Sequence, residues 1–180
     1  MAKTIFSLTD HEVFLITSGN KEKKGGFIAT WVLPASLLPN TPRVLTLVSP
    51  LNFTWQIIQE TGHFVIHLLD ENQIDLAINF ALKSGVDADK FEGILYDQGD
   101  HGPILGDTCG YAACHLQKAY DIGERQIVVG DVATHHVNAT KSPLKKKYLF
   151  SSVSKEVAEQ LKELHSSLGE ASKELFRQSL

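Results

Sequence analysis

Ser49, Asn52 and Thr54 fall close together just ahead of a run with helical spacing, and polar donors at a helix start suit one task. The first backbone N–H groups of a helix have no intrahelical acceptor and the dipole is positive there, so such a start holds anions. Earlier in the chain, Gly25, Gly26, Ala29 and Ala35 form a ledge of small residues that lets a flat molecule approach the backbone. Ledge and helix start together describe a cradle for a ligand that carries both a flat ring and a phosphate. No catalytic side chain is assigned, because holding and orienting such a ligand needs no acid–base dyad.

Other chemistries lack their residues. There is no Gly-x-Gly-x-x-Gly after a strand and no Walker-type Gly-Lys-Ser/Thr loop, which argues against a dinucleotide-binding Rossmann unit. Cys109 and Cys114 are the only cysteines, too few for a four-thiolate zinc site, and they are expected to be reduced core residues. The eight histidines include His63 with His67 and the trio His115, His135 and His136, but none shows a metal-binding spacing, so no metal is expected. Gly99-Asp100-His101-Gly102-Pro103 reads as a turn. A net charge of −4 speaks against a nucleic-acid partner, and Lys145-Lys146-Lys147 reads as a solvated strand edge. No apolar run approaches the roughly 18 residues of a membrane span, and the start has no signal-peptide pattern. The expectation is a cytoplasmic protein.

The elements that must position the cradle are mostly strands. A chain of 180 residues makes one domain that buries on the order of 70% of its unfolded surface. His11 to Thr17, with Val13 to Ile16 apolar, reads as an interior strand, Lys21 to Lys24 as a hairpin tip, and Phe27 to Leu33 as a second strand. Prolines 34, 39 and 42 then force a bend before Arg43 to Val48. Thr54 is the expected N-cap of a short helix that Gly62 stops, and His63 to Leu69 is a strand with Phe64 and Ile66 on one face and His63, Val65 and His67 on the other. Ile74 to Ala81 has helical spacing, Asp87 to Gly106 reads mostly as loop, and Tyr111 to Tyr120 with Gln126 to Asn138 forms a hairpin. A last short strand is expected at Tyr148 to Ser152. From Ser154 onward, Val157, Leu161, Leu164, Leu168, Ala171 and Leu175 give an amphipathic helix with a narrow seam.

The order of Gly26-Phe27-Ile28-Ala29-Thr30-Trp31-Val32, Pro34-Ala35-Ser36-Leu37-Leu38-Pro39, a strand closing on Ser49 and Thr54, and Asp89-Lys90-Phe91-Glu92-Gly93 resembles the flavin reductase-like family of FMN-binding split barrels. The resemblance runs from about Val13 to about Tyr148. It implies a mainly β fold with accessory helices: a split β-barrel domain over 1–152 and a C-terminal helical extension over 153–180. It also implies a homodimer with FMN near the subunit interface. Ala29, Thr30, Trp31 and Ser36 would contact the ring and ribityl chain, Ser49, Asn52 and Thr54 the phosphate, with Lys90 as a compensating charge. The implied activity is hydride transfer from NADH or NADPH to the flavin, with electrons passing to an acceptor protein, free flavin or oxygen. Where such reductases often carry a His in a Gly-Asp-His segment, this chain has Gly123-Glu124-Arg125, so Arg125 is the nicotinamide-binding candidate. An arginine can pair with phosphates but cannot titrate as a histidine would. Two rivals stand beside this reading: an FMN-binding electron carrier, like flavoredoxin, that does not use NAD(P)H, and a non-enzymatic barrel that serves as an interaction module.

Overall fold

Asn20 closes the first hairpin with its own side chain. Its carboxamide oxygen accepts the backbone N–H groups of Glu22 and Lys23 at 2.9 and 3.0 Å, a local turn that Asn favours. Phe14–Gly19 (β1) and Lys24–Ala29 (β2) thus pair antiparallel, Phe14 opposite Ala29 and Gly19 opposite Lys24. The computed structural model in which this is seen describes residues 4–86 and 88–178. The sheet continues through His63–Leu68 (β5), Gly110–Asp121 (β8), Gln126–Val137 (β9), Arg43–Val48 (β4) and Val32–Pro34 (β3), seven strands in the order β2-β1-β5-β8-β9-β4-β3.

The sheet is curled into a half-barrel around one apolar cluster. Ile16, Phe27 and Ala29 reach in from one side, Phe64, Ile66 and Cys114 from the middle, and Val48 and Val128 from the other. Trp55 and Ile58 of helix Phe53–Thr61 (α1) belong to the same cluster. The expected strand from Phe27 to Leu33 is divided: Ala29 is the last residue paired with β1, and Val32 already pairs with Thr46 on β4. Thr30 and Trp31 carry the chain from one edge strand to the other. β-Propensity is similar on both sides of such a crossing and does not report a change of partner. Pro34 ends β3 at the sheet edge, where a missing donor is tolerated.

A second cluster lies on the other face of β1. Val13, Leu15 and Leu69 are covered there by Ala77 and Phe80 of helix Ile74–Leu82 (α2), by Phe91, and by Leu144 and Leu149. Leu149 sits on a helix, Lys146–Ser152 (α3), and not on the strand expected at Tyr148 to Ser152. Leu149 and Val153, four residues apart and so about one helical turn from each other, both pack against the second cluster. Lys145 to Lys147 accordingly lie at a helix start, with Lys145 near Glu12 and the Lys147 ammonium on Leu8 O. A long helix follows at Lys155–Gln178 (α4). Among the described residues no helix is long and apolar enough to cross a membrane.

The stretch expected as loop from Asp87 to Gly106 contains a hairpin, Tyr96–Gly99 (β6) with Gly102–Leu105 (β7). It is laid across the outer face of β1 and β5 and fastened by buried polar contacts. Thr17 Oγ1 donates to Pro103 O at 2.6 Å, and the Leu105 N–H donates to His67 Nε2 at 3.1 Å. The other ring nitrogen of His67 faces Leu15 O at 3.1 Å and so must carry the proton. His67 is fully buried, and burial pushes its pKa down to about 4. The neutral ring with its proton on Nδ1 is the form that satisfies both neighbours.

The unfolded chain takes a proton on His67 below about pH 6.5 that the folded chain refuses until about pH 4, so stability falls as pH drops through this window. The expected loss is on the order of 3 kcal/mol. Urea midpoints measured from pH 7 to 4 should show it, and His67→Gln should flatten the profile over the same range while lowering stability at pH 7.

Candidate functional site

The entry to α1 is built by two successive turns. Asn52 N–H donates to Ser49 O at 3.0 Å, Leu51 N–H to Ser49 Oγ at 3.3 Å, and Thr54 N–H to Asn52 Oδ1 at 2.9 Å. Asn52, and not Thr54, is therefore the N-cap; Thr54 lies inside the first turn, 2% exposed. Asn and Thr both cap helices, and the choice between neighbouring candidates is made by the turn that precedes them. Gly62, in the left-handed conformation at φ 70°, ends the helix as expected.

These turns leave three donors unused. The Ser49 and Asn52 oxygens act as acceptors, which leaves the Ser49 O–H and the Asn52 Nδ2 group to donate. Neither they nor the Thr54 hydroxyl finds an acceptor among the described residues. Placed at a positive helix end, they fit a phosphate by donor chemistry.

Thr54 is set against β2 by close approach. A Cβ on Gly25 would stand 2.7 Å from Thr54 Oγ1 and 3.1 Å from Ile57 Cδ1, so only glycine admits the first turn of α1 here. Ala29 is buried at the far end of β2, Thr30 is half-buried, and Trp31 is 50% exposed. Because Val32 lies opposite Thr46, the Thr30–Trp31 crossing runs beside the last residues of β4, directly before Ser49. The structure thus places the Thr30–Trp31 crossing beside the end of β4 that leads to Ser49, and Thr54 against Gly25 near the start of β2. Thr46, between Val44 and Val48 on the interior face of β4, has a buried hydroxyl that finds no partner among the described residues, which costs about 1–3 kcal/mol. It is a further polar group for a ligand at this end of the barrel.

Three other candidates stand differently. Ser36 lies beyond Pro34, at the opposite end of β3 from Thr30, half-buried, with its hydroxyl accepting from Leu38 N–H. Lys90 is 8% exposed, and its ammonium donates to Gly26 O at 3.0 Å and Phe80 O at 2.9 Å; burial pushes its pKa down to about 8. Its charge is directed at the backbone of β2 and α2. Arg125, in the β8–β9 turn, donates from one guanidinium nitrogen to Glu124 O at 2.8 Å and to Ser172 Oγ of α4 at 3.0 Å. A cleft of about 380 Å³ adjoins Phe53 and is lined by residues 22–25, 85–86 and 88–91, so Lys90 and the ledge residue Gly25 border it.

The structure also assembles a group that sequence reasoning missed. His63, His101 and His115 place one ring nitrogen each within 4.8 Å of one another. No local spacing announces them, since the register of β5 with β8 and the fold of the β6–β7 hairpin bring them together. His135 and His136 are not part of this group.

A family model described as "Flavin reductase like domain" matches residues 6–151, and the chain belongs to that family. A flavin reductase of Pseudomonas putida is 31% identical over 106 residues, 58% of this chain and 61% of its own length. A high molecular weight rubredoxin of Moorella thermoacetica is 30% identical over 145 residues, 79% of this chain and 62% of its own length. The chain thus spans less than two-thirds of the length of these curated relatives. Among solved structures, the NADH:FAD oxidoreductase of Streptomyces globisporus C-1027 has the same fold, with a TM-score of 0.70 at 21% identity over 76% of this chain and 81% of that one. Sequence and fold comparisons therefore agree on a flavin reductase-like, mainly β protein with a half-barrel and a long C-terminal helix.

Gly25→Ala is expected to lower stability by about 1–3 kcal/mol, because the added methyl must push α1 off β2. Removing the Thr54 side chain as well, in Gly25→Ala/Thr54→Ala, should recover part of that loss. Urea denaturation of the single and double variants measures the coupling, and strict additivity would show that the two side chains do not meet.

Proposed function

We propose that this protein binds FMN at the start of α1 and works as an NAD(P)H-dependent flavin reductase. The observation that carries the reading is the set of unused donors on Ser49, Asn52 and Thr54 at a helix N-terminus, beside the crossing at Ala29, Thr30 and Trp31. Flavin, when bound, would supply the redox chemistry of hydride transfer from a nicotinamide and electron delivery to an acceptor. The chain's own residues hold and orient. Ser49, Asn52 and Thr54 donate to the phosphate, backbone and side chains of residues 29–31 line the ring, and the buried apolar cluster behind them excludes water. Ser36, beyond Pro34 and remote from Thr30 in a single chain, serves the cofactor through the facing subunit of a homodimer. Lys90 acts by fixing β2 to α2 beneath the site. The setting is the cytoplasm, and the C-terminal extension that carries α4 belongs to the same domain.

A second reading keeps FMN and drops the pyridine nucleotide. It is favoured by the state of Arg125, one of whose guanidinium nitrogens is engaged by Glu124 O and Ser172 Oγ and is not free for a nicotinamide nucleotide. The protein would then be a carrier reduced by another protein.

Purified protein is expected to be yellow or to take up about one FMN per chain. Asn52→Asp discriminates the phosphate role, since Asp caps a helix as well as Asn does but sets a negative charge where the phosphate binds. Its thermal stability should match the parent while FMN affinity drops tenfold or more and riboflavin affinity does not change. Equal loss of both ligands would remove the phosphate from this helix. Anaerobic mixing with NADH and NADPH separates the two readings: rapid bleaching by either marks a reductase, and persistent oxidised flavin with both marks a carrier.

A further inference from the structure

The outer face of β5 carries an arrangement that the flavin reading does not use. His63 opens β5 and lies opposite His115 of β8, with the two Nδ1 atoms 3.1 Å apart. His101, at the turn of the β6–β7 hairpin, puts Nε2 3.4 Å from Nε2 of His115. The three rings meet edge to face with centroids 4.6 to 5.0 Å apart. Side chains alternate along a strand, so His63 and His115 point away from the interior occupied by their neighbours Phe64 and Cys114.

The meeting is fixed from three sides. β5 and β8 are paired from His63↔His115 to Leu68↔Gly110. The hairpin that carries His101 is fastened by Thr17 to Pro103 O and by Leu105 N–H to His67. At its turn, Gly102 has φ 125° and packs so closely on β1 that a Cβ would stand 3.0 Å from Ser18 Cα and from Gly19 N. His101 therefore cannot be carried away without lifting the hairpin off buried partners.

We propose that His63, His101 and His115 form a binding site for one divalent transition-metal ion of the zinc type. Imidazole nitrogen suits zinc, cobalt, nickel and copper and does not suit magnesium or calcium, which select oxygen. Nitrogens bound tetrahedrally at about 2.0–2.1 Å stand roughly 3.3–3.4 Å apart, and both short contacts in the cluster lie near that spacing. His115 now faces one neighbour with each nitrogen, so a turn of its exposed ring is what brings three nitrogens onto one ion. Neutral imidazoles are the ligand form. Exposure of His115 leaves the fourth position to water. The ion would join the β6–β7 hairpin to β5 and β8, on the side of the sheet away from the interior cluster, and the inference does not depend on flavin binding.

The test uses full-length protein without a polyhistidine tag, stripped with chelator and titrated with Zn2+ by calorimetry. One equivalent is expected to bind with a micromolar or tighter dissociation constant, and excess Zn2+ should raise the melting temperature by about 5 °C or more, while Mg2+ does neither. Co2+ in its place should give the intense visible bands of a four-coordinate site. His101→Gln and His115→Gln should each weaken binding tenfold or more, and His135→Gln/His136→Gln should leave it intact. Absence of stoichiometric binding overturns the proposal, as does binding that follows His135 and His136. Should either glutamine variant lose its far-UV circular dichroism, the cobalt spectrum of the parent decides, and weak octahedral bands count against the site.

Discussion

Two adjacent glycines set the distance between helices and sheet on both faces of β2. A Cβ on Gly25 would meet Thr54 and Ile57 of α1, and one on Gly26 would come 2.6 Å from Phe80 of α2. Successive residues of a strand face opposite ways, so the doublet is a thin place in the sheet, pressed from inside by one helix and from outside by the other. Lys90 holds the sandwich by donating to Gly26 O on the edge strand and to Phe80 O near the end of α2, where helix carbonyls lack intrahelical donors. The position of the α1 start, and hence of every donor on it, depends on this contact.

β5 shows how one strand serves separate purposes by parity. Phe64 and Ile66 enter the interior cluster, while Val65 and His67 are buried beneath β7 and His63 reaches the histidine group at the strand's end. This alternation was legible from the sequence, because period two is a local property. The partners were not. His63 and His115 are 52 residues apart and His115 and His101 are 14 apart, and only strand register joins them. The same limit explains the strand broken at Thr30 and Trp31, where the chain changes partner without a change in composition. The β6–β7 hairpin was hidden for a related reason: its Gly- and Asp-rich sequence has low β-propensity, and tertiary fastening at Thr17 and His67 outweighs it. What carried through from sequence was the helix start near residues 52–54 and the family's motifs, both short and contiguous. Gly25 and Gly26, read as a ledge for a ligand, are instead covered by Thr54, Ile57 and Phe80 of the chain itself.

α4 illustrates a pattern read correctly whose meaning lay elsewhere. The seam at Val157, Leu161 and Leu164 is half-buried, but Leu168 is 46% exposed and the fully buried residue further on is Ser172, a polar one. Ser172 is buried because Arg125 reaches it from the β8–β9 turn. The helix is thus tied to the barrel through a hydrogen bond at the position where a free arginine was sought. Burial pushes the pKa of His165 down, and the nearby charges of Lys146 and Arg125 push it the same way, so the helix also brings cationic groups together along this side.

The charges around the start of α1 decide how an anion could be held there. Lys23 is paired with Glu60, Lys24 with Asp89 at 3.0 Å, and Lys90 with two carbonyls. These pairings differ in what it takes to break them. Exposed ion pairs such as those of Lys23 and Lys24 contribute about 0–1 kcal/mol, so either lysine can turn to a new anion at little cost. Withdrawing the Lys90 ammonium would leave two backbone carbonyls unsatisfied, at about 1–3 kcal/mol each, and would loosen the glycine sandwich that positions the helix. A phosphate at Ser49, Asn52 and Thr54 would therefore be balanced first by the helix dipole and neutral donors and next by the surface lysines. The most buried cation nearby would keep its structural place.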